Sequence, residues 1–416
     1  QQVIEKHSDN RKDKNMSLNE TPRSDRIHIA LFGKRNAGKS SVINALTNQE
    51  LAIVSEVKGT TTDPVYKSME LLPLGPVVMI DTPGLDDEGE LGEKRVKKAK
   101  EVLSKADIAL VIMDAAQGVT SFEQDMMELM EKRKIPYLKV YNKIDLSERE
   151  ETDEDACYVS AVTGEGIQEL KEAIGRIVPS EKETQKIAGD LVDPLDLVVL
   201  VVPIDSAAPK GRLILPQQQT IRDLLESGAA SVVVRDFELA GVLEKLGTRP
   251  ALVITDSQAF EQVAEDVPDD IMLTSFSILF ARYKGDLEEE IRGIRALKSL
   301  KDGDRILIAE GCTHHRQCDD IGTVKIPRWL RQYTGKEFQI ETSSGNGFPD
   351  DLEDYQMIIH CGGCMLNRRE MKSRIQRAVE AGVPIVNYGV LIACIKGILE
   401  RSLEPFPEAL KILNEL

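Results

Sequence analysis

The feature that most constrains this fold is a glycine loop between an apolar run and a helix-like segment. RIHIALF (26–32) is typical of a strand, GKRNAGKS follows at once, and SVINALTNQE has a helical composition. A strand, a glycine loop and a helix in this order predict a phosphate-binding loop. Gly33 and Gly38 let backbone N–H groups surround the phosphates. Lys39 supplies positive charge to the β- and γ-phosphates, and Ser40 is a candidate magnesium ligand.

Length and composition narrow the class of protein. The chain has 416 residues, more than one ordinary core holds, which predicts several domains. Its 70 acidic residues exceed its 53 basic ones, and the net charge of -17 disfavours a nucleic-acid partner. Apolar runs are shorter than the ~18 residues of a membrane span. Six cysteines are too few for a disulfide scaffold, so we expect a cytoplasmic protein with reduced thiols and no membrane partner.

Two further strand ends carry nucleotide chemistry. PVVMIDTPG (76–84) ends in D-x-x-G, with Asp81 as a water-mediated magnesium ligand and Gly84 as the γ-phosphate contact. IPYLKVYNKID (135–145) ends in N-K-x-D. The Asp145 carboxylate can accept two N–H bonds from guanine, whereas adenine would leave it unpaired. These motifs predict that the nucleotide is GTP.

The remaining nucleotide-site residues are assigned from their order along the chain. Asn142 and Lys143 support the guanine loop, and Ser160 and Ala161 fit the last loop of such a domain. In GTTTDP (59–64), Thr61 is the candidate for the γ-phosphate and magnesium contact, with an ordinary polar loop as the alternative. The predicted catalytic and nucleotide-binding set is Gly33, Asn36, Gly38, Lys39, Ser40, Ser41, Thr61, Asp81, Gly84, Asn142, Lys143, Asp145, Ser160 and Ala161.

The series GKRNAGKS, GTTTD, DTPG, NKID and SA resembles the TrmE and Era branch of bacterial GTPases over about residues 25–178. The resemblance implies magnesium-dependent GTP hydrolysis. In that branch an apolar residue, here Leu85, follows D-x-x-G. The resemblance also implies a potassium ion, partly ligated by Asn36, in place of an arginine finger. Relatives carry arginine where this chain has Thr62, which leaves the details of the switch loop open.

A second set of reactive side chains follows two strand-like runs in the last third. RILIA (305–309) leads to C-x-H, and IIHCGGC (358–364) contains H-C-x-x-C. Because sites in open α/β sheets form beyond the carboxyl ends of strands, we expect the two groups to converge. From spacing alone, zinc, an iron–sulfur cluster and an uncomplexed structural or redox cysteine pair all remain open. We also expect the helix after Cys364 to lower the pKa of its thiol.

This pattern of C-x-H and, about 45 residues later, H-C-x-x-C behind a TrmE-like domain resembles the HydF family of FeFe-hydrogenase maturation GTPases. TSFSILFARYKGD (274–286) is similar to that family's entrance to its last domain. The resemblance implies a 4Fe-4S cluster whose fourth position is left to a histidine or an exchangeable ligand. It also implies a homodimer that builds a two-iron precursor with the radical enzymes HydE and HydG and delivers it to the FeFe-hydrogenase apoprotein. The implied cysteine ligands are Cys312, Cys361 and Cys364, and the histidine candidates are His314 and His360.

Together these patterns predict an α/β chain of three domains after a disordered tail (1–25). They are a P-loop GTPase domain (26–178), a small α/β dimerisation domain (190–268) and a Rossmann-like α/β cluster-binding domain (270–416). In the middle domain, apolar strands, among them RLILP (212–216), alternate with helices. No convergent His, Cys or acidic motif appears there, so its predicted role is assembly, with a sheet shared between two subunits.

Two functions of other classes remain as alternatives. One is a TrmE-like RNA-processing GTPase with a structural zinc module, which the acidic balance and the lack of a basic aromatic surface disfavour. The other is a redox-sensing regulatory GTPase, marked by reversible bridging between Cys361 and Cys364. Metal and sulfide analysis after anaerobic reconstitution separates these functions from a cluster scaffold.

Overall fold

The computed structural model describes residues 21–47, 64–72, 74–82, 98–147, 153–178, 185–204, 213–311, 320–345 and 347–415. Three separate sheets, all rich in parallel pairs and flanked by helices, confirm the predicted α/β class. Within these ranges, no helix combines the length and apolarity needed to cross a bilayer. The predicted site residues Thr61, Gly84, Cys312 and His314 lie outside the described residues, as do Thr62 and Leu85.

The first domain is a six-stranded sheet between two helical layers. Its strands are β1 (Ile27–Phe32), β2 (Val65–Leu71), β3 (Gly75–Asp81), β4 (Ile108–Asp114), β5 (Tyr137–Asn142) and β6 (Ala156–Val159). Its helices are α1 (Lys39–Thr47), α2 (described over 98–103), α3 (Ser121–Lys132) and α4 (Ile167–Ile177), with 3-10 turns at Arg23–Asp25 and Ile144–Leu146. The strand order is β2-β3-β1-β4-β5-β6, in which β2 is antiparallel to β3.

Alternation along β1 explains why both faces of this sheet are covered. Ile29 and Leu31 pack with the apolar side chains of α1 and α4, while Ala30 and Phe32 pack with those of α2 and α3. Successive side chains of a strand point to opposite faces, so a continuous apolar run such as IALF requires a helical layer on each side. The polar loops at the carboxyl ends of the strands are thereby left to form the site.

The middle domain has a four-stranded parallel sheet. Its strands are β7 (Leu197–Val201), β8 (Ala230–Val234), β9 (Leu252–Thr255) and β10 (Met272–Ser275), in the order β10-β9-β7-β8. Its helices are α5 (Leu215–Glu226), α6 (Leu239–Lys245) and α7 (Phe260–Asp266), with a 3-10 turn at Asp236–Glu238. The strand predicted for RLILP is wrong: α5 begins at Leu215, because Pro216 occupies its first turn, where a missing N–H costs nothing.

The last domain has a second four-stranded parallel sheet. Its strands are β11 (Arg305–Glu310), β12 (Gln339–Ser344), β13 (Met357–His360) and β14 (Ile385–Asn387), in the order β12-β11-β13-β14. Its helices are α8 (Phe276–Lys284), α9 (Leu287–Ile294), α10 (Ala296–Ser299), α11 (Ile326–Thr334), α12 (Arg368–Glu380), α13 (Tyr388–Ile395), α14 (Leu399–Ser402) and α15 (Pro407–Asn414), with a π-helical turn at Ile321–Lys325. The direction of strand order reverses between β11 and β13, which is the switch point where such folds bind ligands.

The boundaries between domains differ from those expected. Residues 23–25, predicted to be part of a disordered tail, form a 3-10 turn in which Ser24 is buried. The strand β10 lies past residue 268, where the sequence reading ends the middle domain. The stretch from 274 is the end of β10 followed directly by α8, whose first turn is capped by Ser275, which accepts a hydrogen bond from the Ile278 N–H. One continuous apolar core therefore runs through the second and third domains.

A buried carboxyl group on α9 lacks a hydrogen-bond partner among the described residues. Glu290 is fully buried, and neither of its carboxyl oxygens is bonded there. Burial, followed by the charge of Asp286, raises the pKa of Glu290 well above its usual value. The folded chain therefore favours the protonated form, and ionisation of this group opposes folding.

Replacing Glu290 with methionine should stabilise the protein at neutral pH. Unfolded chains ionise glutamate near pH ~4.3, so the free energy of unfolding of the wild type should fall as pH rises from there towards the folded pKa. Glu290→Met removes this pH dependence of the free energy of unfolding. It also removes a buried group without hydrogen bonds, which destabilises the fold by about 1–3 kcal/mol. Thermal unfolding of Glu290→Met, wild type and the exposed control Glu288→Met across this pH range measures the effect. A Glu290→Met protein that melts below wild type at neutral pH contradicts this account.

Candidate nucleotide and metal sites

The phosphate loop between β1 and α1 has room for glycine alone at two positions. A Cβ on Gly33 (φ 148) would lie 2.2 Å from the Ile112 carbonyl oxygen, and one on Gly38 (φ 91) would lie 2.2 Å from Asn142 Nδ2. Both backbone conformations are also rare for residues with a side chain. Asn36 adopts the left-handed region as well, with φ 62. The loop is thus bent by its glycines against β4 and the end of β5.

Two predicted phosphate-site side chains already have partners that suit their roles. The buried Lys39 donates from Nζ to the carbonyl oxygens of Gly33 (2.8 Å) and Lys34 (2.9 Å), which keeps the ammonium inside the loop. The Ser40 hydroxyl donates to Asp81 Oδ2 at 2.6 Å, although the two residues are far apart in sequence. Hydroxyl and carboxylate oxygens are ligands that magnesium prefers, so this pair fits the ion.

The guanine loop is tied to the phosphate loop through Asn142. Its Nδ2 donates to the Ala37 carbonyl oxygen (2.9 Å), and its Oδ1 accepts from the Ala161 N–H (3.1 Å). Lys143 adopts φ 67 and pairs through Nζ with Asp114 Oδ2 at 2.8 Å. Three loops from different strands are therefore held by two adjacent side chains. Both residues belong to the N-K-x-D motif, and their part in binding guanine stays a prediction.

The other predicted nucleotide residues lie around the same strand ends. Asp145 is exposed in the 3-10 turn after β5, where its carboxylate can meet a ligand from solvent. Ser160 is fully buried, and its hydroxyl oxygen accepts from the Thr163 N–H at 3.1 Å, which shapes the last loop. Ser41 lies in the first turn of α1.

Strands β11 and β13, each of which leads into one half of the predicted metal site, lie side by side. They are adjacent and parallel, with Ala309 opposite His360, so the chain leaves both strands at the same edge. The Gly311 N–H donates to Cys361 Sγ at 3.0 Å, and the Gly363 N–H does so at 3.4 Å. Gly311 is the residue before Cys312. The backbone that leads into the first cysteine thus contacts the sulfur of the second.

Burial raises the thiol pKa values in this loop. The pKa of Cys361 rises to about 11 by burial, although the Gly311 and Gly363 N–H groups oppose the rise. Burial also raises the pKa of Cys364, although Lys284 opposes this rise. The predicted lowering by a helix is therefore wrong, because α12 begins only at Arg368. A metal cation favours the thiolates, since ligation replaces the thiol proton.

His360 is fully buried and both its ring nitrogens are engaged. Nε2 lies 3.1 Å from Arg374 Nη1, and Nδ1 lies 2.7 Å from the Cys361 carbonyl oxygen. Burial, followed by the charge of Arg374, lowers the pKa of His360 to about 3. A guanidinium only donates, so Nε2 accepts and Nδ1 carries the proton that is donated to the carbonyl. In this geometry His360 orients the cysteine loop, which is one of the two roles that the sequence leaves open.

Three residues near the cysteines were missed by the sequence analysis. Glu310 ends β11 and Tyr388 begins α13, and the Tyr388 hydroxyl lies 3.5 Å from Glu310 Oε1 beside Cys361. Lys284 donates from Nζ to two carbonyl oxygens of the segment 364–366, at 3.1 and 3.0 Å. The only sequence signal was the family-like stretch that contains this lysine. Among the described residues alone, His, Cys, Asp and Glu side chains form no group of three that can hold a metal.

The segment after Cys364 also contacts the GTPase domain. Asn367, which caps α12, donates from Nδ2 to the Lys105 carbonyl oxygen at 2.7 Å. Glu370 Oε1 lies 3.7 Å from Lys105 Nζ, and Arg369 Nη2 donates to the Lys134 carbonyl oxygen at 3.0 Å. Lys105 and Lys134 precede β4 and β5, so the contact is made by the edge of the GTPase sheet opposite the nucleotide loops.

Three family profiles match the chain. The hydrogen maturase F tetramerization domain matches residues 288–405, the hydrogen maturase F dimerization domain matches 187–285, and the 50S ribosome-binding GTPase matches 28–143. The two hydrogen maturase F matches together cover more than half of the chain. The dimerization match extends past β10 and α8, and the domain that carries the cysteines is the one matched as a tetramerization domain.

Relatives of known function match the GTPase domain. The tRNA modification GTPases MnmE of Nitrosomonas europaea and Legionella pneumophila (strain Paris) are 36% identical over 154 residues and 40% identical over 159 residues. Each match covers 36% of this chain and 34% of the relative, so the chain spans about a third of the length of these proteins. Among solved structures, Era of Aquifex aeolicus covers 50% of this chain and 94% of its own, with 20% identity and a TM-score of 0.34. The G domain of the T. maritima FeoB iron transporter covers 36% and 98%, with 27% identity and a TM-score of 0.29.

Replacing Asp145 should weaken guanine recognition and leave the metal loop (residues 361–364) intact. Asp145→Asn removes the charged acceptor of two guanine N–H bonds, so affinity for a GTP analogue should fall roughly 10- to 100-fold. Inosine nucleotides lack the exocyclic amine. In competition experiments, the ratio of the affinity for guanosine nucleotides to that for inosine nucleotides should be smaller in Asp145→Asn than in wild type. Asp125→Asn on the exposed face of α3 is the matched control. Unchanged preference in Asp145→Asn would mean that another group reads the base.

Proposed function

The chain belongs to the hydrogen maturase F family, and from this we propose that it is a GTP-hydrolysing scaffold for the metal centre of FeFe-hydrogenase. It would bind a 4Fe-4S cluster, assemble the two-iron precursor and deliver it to the hydrogenase apoprotein. The observation that supports the cluster most directly is the contact of the Gly311 N–H with Cys361 Sγ at 3.0 Å. It brings the backbone next to Cys312 within reach of the C-x-x-C loop.

The chain is a hydrogenase-maturation GTPase, and its nucleotide site supports roles for named side chains. Lys39 would bind the β- and γ-phosphates, and the touching pair Ser40 and Asp81 would hold magnesium directly and through water. Thr61 and Gly84 would complete the γ-phosphate contacts. Potassium would be ligated in part by the loop residue Asn36, whose left-handed conformation turns the loop at that position. We assign GTP hydrolysis to control of conformation or partner exchange instead of to the iron chemistry.

The metal loop offers three thiolates and leaves one coordination position open. Cys312, Cys361 and Cys364 would ligate three irons, and His314 or an exchangeable ligand would occupy the fourth position. When bound, the cluster supplies an iron with an exchangeable site for docking an iron fragment. The chain orients the sulfurs through two glycine N–H groups on Cys361 and through His360, which holds the Cys361 carbonyl. Such N–H groups favour thiolate over thiol.

The match to dimerization and tetramerization domains indicates an oligomer, and the middle sheet offers an edge for it. Strand β8 is at the end of its sheet, and Val233 on that strand and Phe237 in the next turn are exposed large apolar side chains. An unpaired edge beside apolar surface favours strand pairing with a second copy. We infer a homodimer built there. HydE, HydG and the hydrogenase apoprotein would be the further partners, in the cytoplasm, where the thiols stay reduced.

A mutation in the metal loop should remove the cluster and leave GTP hydrolysis almost unchanged. Cys361→Ser should lose most of the iron and acid-labile sulfide of the anaerobically reconstituted protein, because one of three thiolates and its N–H contacts are removed. GTP turnover should stay within about twofold of wild type, since the side chain lies outside the nucleotide domain. Cys394→Ser, at the end of α13, is the matched control and should retain both properties.

Three outcomes would count against a cluster scaffold. Equal loss of iron and GTP turnover in Cys361→Ser would contradict separate sites. Stoichiometric zinc without sulfide in the wild type would favour a structural zinc module. A reversible bond between Cys361 and Cys364 in metal-free protein, with GTP turnover that follows its redox state, would favour a redox sensor.

A further inference from the structure

A buried lysine lies beneath the cysteine loop. Lys284, the last residue of α8, is 1% exposed, and its Nζ donates to the carbonyl oxygens of Cys364 (3.1 Å) and Leu366 (3.0 Å). Its nearest carboxylate is Asp25 Oδ1 at 3.6 Å, which comes from the turn before β1. The same carboxylate accepts a hydrogen bond from Gln219 Nε2 on α5. All three domains therefore meet around this one ammonium group.

The surroundings of Lys284 offset its buried charge only in part. Burial lowers the pKa of Lys284, while Asp25 and the thiols of Cys364 and Cys361 favour its charged form. An ammonium group removed from water needs compensating negative charge. Asp25 supplies one carboxylate, but this carboxylate also accepts a hydrogen bond from Gln219. Thiolates and a bound cluster would bring further negative charge to the same place, and net charge and hydrogen bonds set the reduction potential of such clusters.

We propose that Lys284 positions the Cys364 loop and balances the negative charge of the metal centre bound there. The inference rests on the proposed function, because it concerns the same cysteines. Lys284 holds the loop through two carbonyl groups and needs no contact with a sulfur atom to act. It stabilises the reduced, more negative state of the cluster, so its charge raises the reduction potential. Asp25 has the opposite effect, because it neutralises part of that charge.

The sign of the potential shift separates an electrostatic role from simple loosening of the loop. Lys284→Met keeps the length of the side chain and removes the charge, so the reconstituted cluster should shift to a more negative potential. Asp25→Asn removes the counter-charge and should shift it to a more positive potential. Both potentials are measured by redox titration followed by electron paramagnetic resonance, with iron and sulfide per chain determined in parallel. Lys284→Arg, which keeps the charge, should stay nearer to wild type than Lys284→Met.

GTP turnover checks that each variant is folded, since neither residue belongs to the nucleotide site. Shifts in the same direction for Lys284→Met and Asp25→Asn, or a Lys284→Met cluster with the wild-type potential, would overturn the role of Lys284. If Lys284→Met does not fold, the potential of Asp25→Asn decides, because a shift to a more negative potential in that variant overturns the role of Lys284. Wild-type protein that binds no iron overturns the proposed function instead, so the two failures are distinguishable.

A second inference rests on a different set of contacts, which leads from the GTPase domain to the metal loop. Glu370 Oε1 lies 3.7 Å from Lys105 Nζ and also accepts from Arg374 Nη2 at 2.8 Å. Arg374 Nη1 then reaches His360 Nε2 at 3.1 Å, and His360 donates to the carbonyl of Cys361. Glu370, Arg374 and His360 are all buried. A continuous chain of polar contacts thus ends at the backbone carbonyl of Cys361, one of the proposed sulfur ligands.

The GTPase end of this chain is well placed to respond to the nucleotide. Lys105 follows α2, and α2 follows the D-x-x-G segment along the sequence. In GTPases the segment after D-x-x-G is rearranged by its γ-phosphate contact and released on hydrolysis. Because a helix is rigid, a shift that reaches the described part of α2 (98–103) is carried to Lys105. The Asn367 side chain holds the Lys105 carbonyl oxygen at 2.7 Å, so that end is attached to α12.

We infer that the contact of Lys105 with Asn367 and Glu370 couples nucleotide state to the metal loop. Coupling is reciprocal: if the cluster changes the affinity for a nucleotide, the nucleotide changes the stability of the cluster by the same factor. The inference rests on the proposed function for the presence of the cluster. It requires no direct contact between the two sites, because the segment after Cys364 meets the GTPase sheet at the edge opposite the nucleotide loops.

Nucleotide affinity with and without the cluster measures this coupling. The dissociation constants of a non-hydrolysable GTP analogue and of GDP are determined for reconstituted and metal-free protein. In the wild type, loading should change the ratio of the two constants about fivefold or more. In Lys105→Met and Glu370→Gln the factor should fall towards one, while both forms still bind nucleotide. Glu380→Gln, at the exposed far end of α12, is the matched control and should keep the wild-type factor.

Two results would overturn the coupling. One is a wild-type protein that loads with iron but shows the same nucleotide constants as the metal-free form. The other is a Lys105→Met protein that keeps the full wild-type factor, which would place the coupling elsewhere. Wild type that takes up no iron overturns the proposed function and is recognised by iron analysis before any nucleotide is added.

Discussion

The cysteine loop depends on the parallel pairing of β11 with β13. Their register sets Ala309 opposite His360, so both strands release the chain at one edge, and the Gly311 N–H reaches Cys361 Sγ. Two cysteine groups about 45 residues apart are thereby directed to one place. A slip of one residue would turn every side chain to the other face of the sheet. Both strands are buried on both faces, so the fit of side chains of different size in the two packed layers holds the register.

The cysteine loop is also the place where the three domains meet. Lys284 connects the cysteine loop to Asp25, and Glu370 connects the helix after the loop to Lys105. The GTPase domain therefore contacts this segment at two points. Buried charges of this kind are costly unless they are paired, so their presence is not explained by a gain in stability alone. Several of these charges surround one short loop. This arrangement suits a scaffold in which metal binding and nucleotide binding both affect the conformation of that loop. His360 also holds the loop in place, since its ring donates a hydrogen bond to the Cys361 carbonyl oxygen.

Much of the fold and of the nucleotide site could be predicted, because glycine loops, strand runs and N-K-x-D act through local sequence. The predicted fold class and GTPase are confirmed. Local patterns failed at three points. RLILP leads into α5 because of its own proline, and β10 lies beyond the boundary expected for the middle domain. Burial by residues remote in sequence raises the pKa of Cys364. Lys284, Glu310 and Arg374 could not be found, since their importance comes from neighbours that are remote in sequence.

The most direct test of the central claim is the metal content and spectrum of the full-length wild-type protein reconstituted without oxygen. We expect about four irons and four sulfides per chain and, after reduction, the electron paramagnetic resonance signal of a 4Fe-4S centre. Addition of a small ligand such as imidazole should perturb that signal, because one position is exchangeable. Colourless protein with neither iron nor sulfide, or with zinc in their place, would contradict the account.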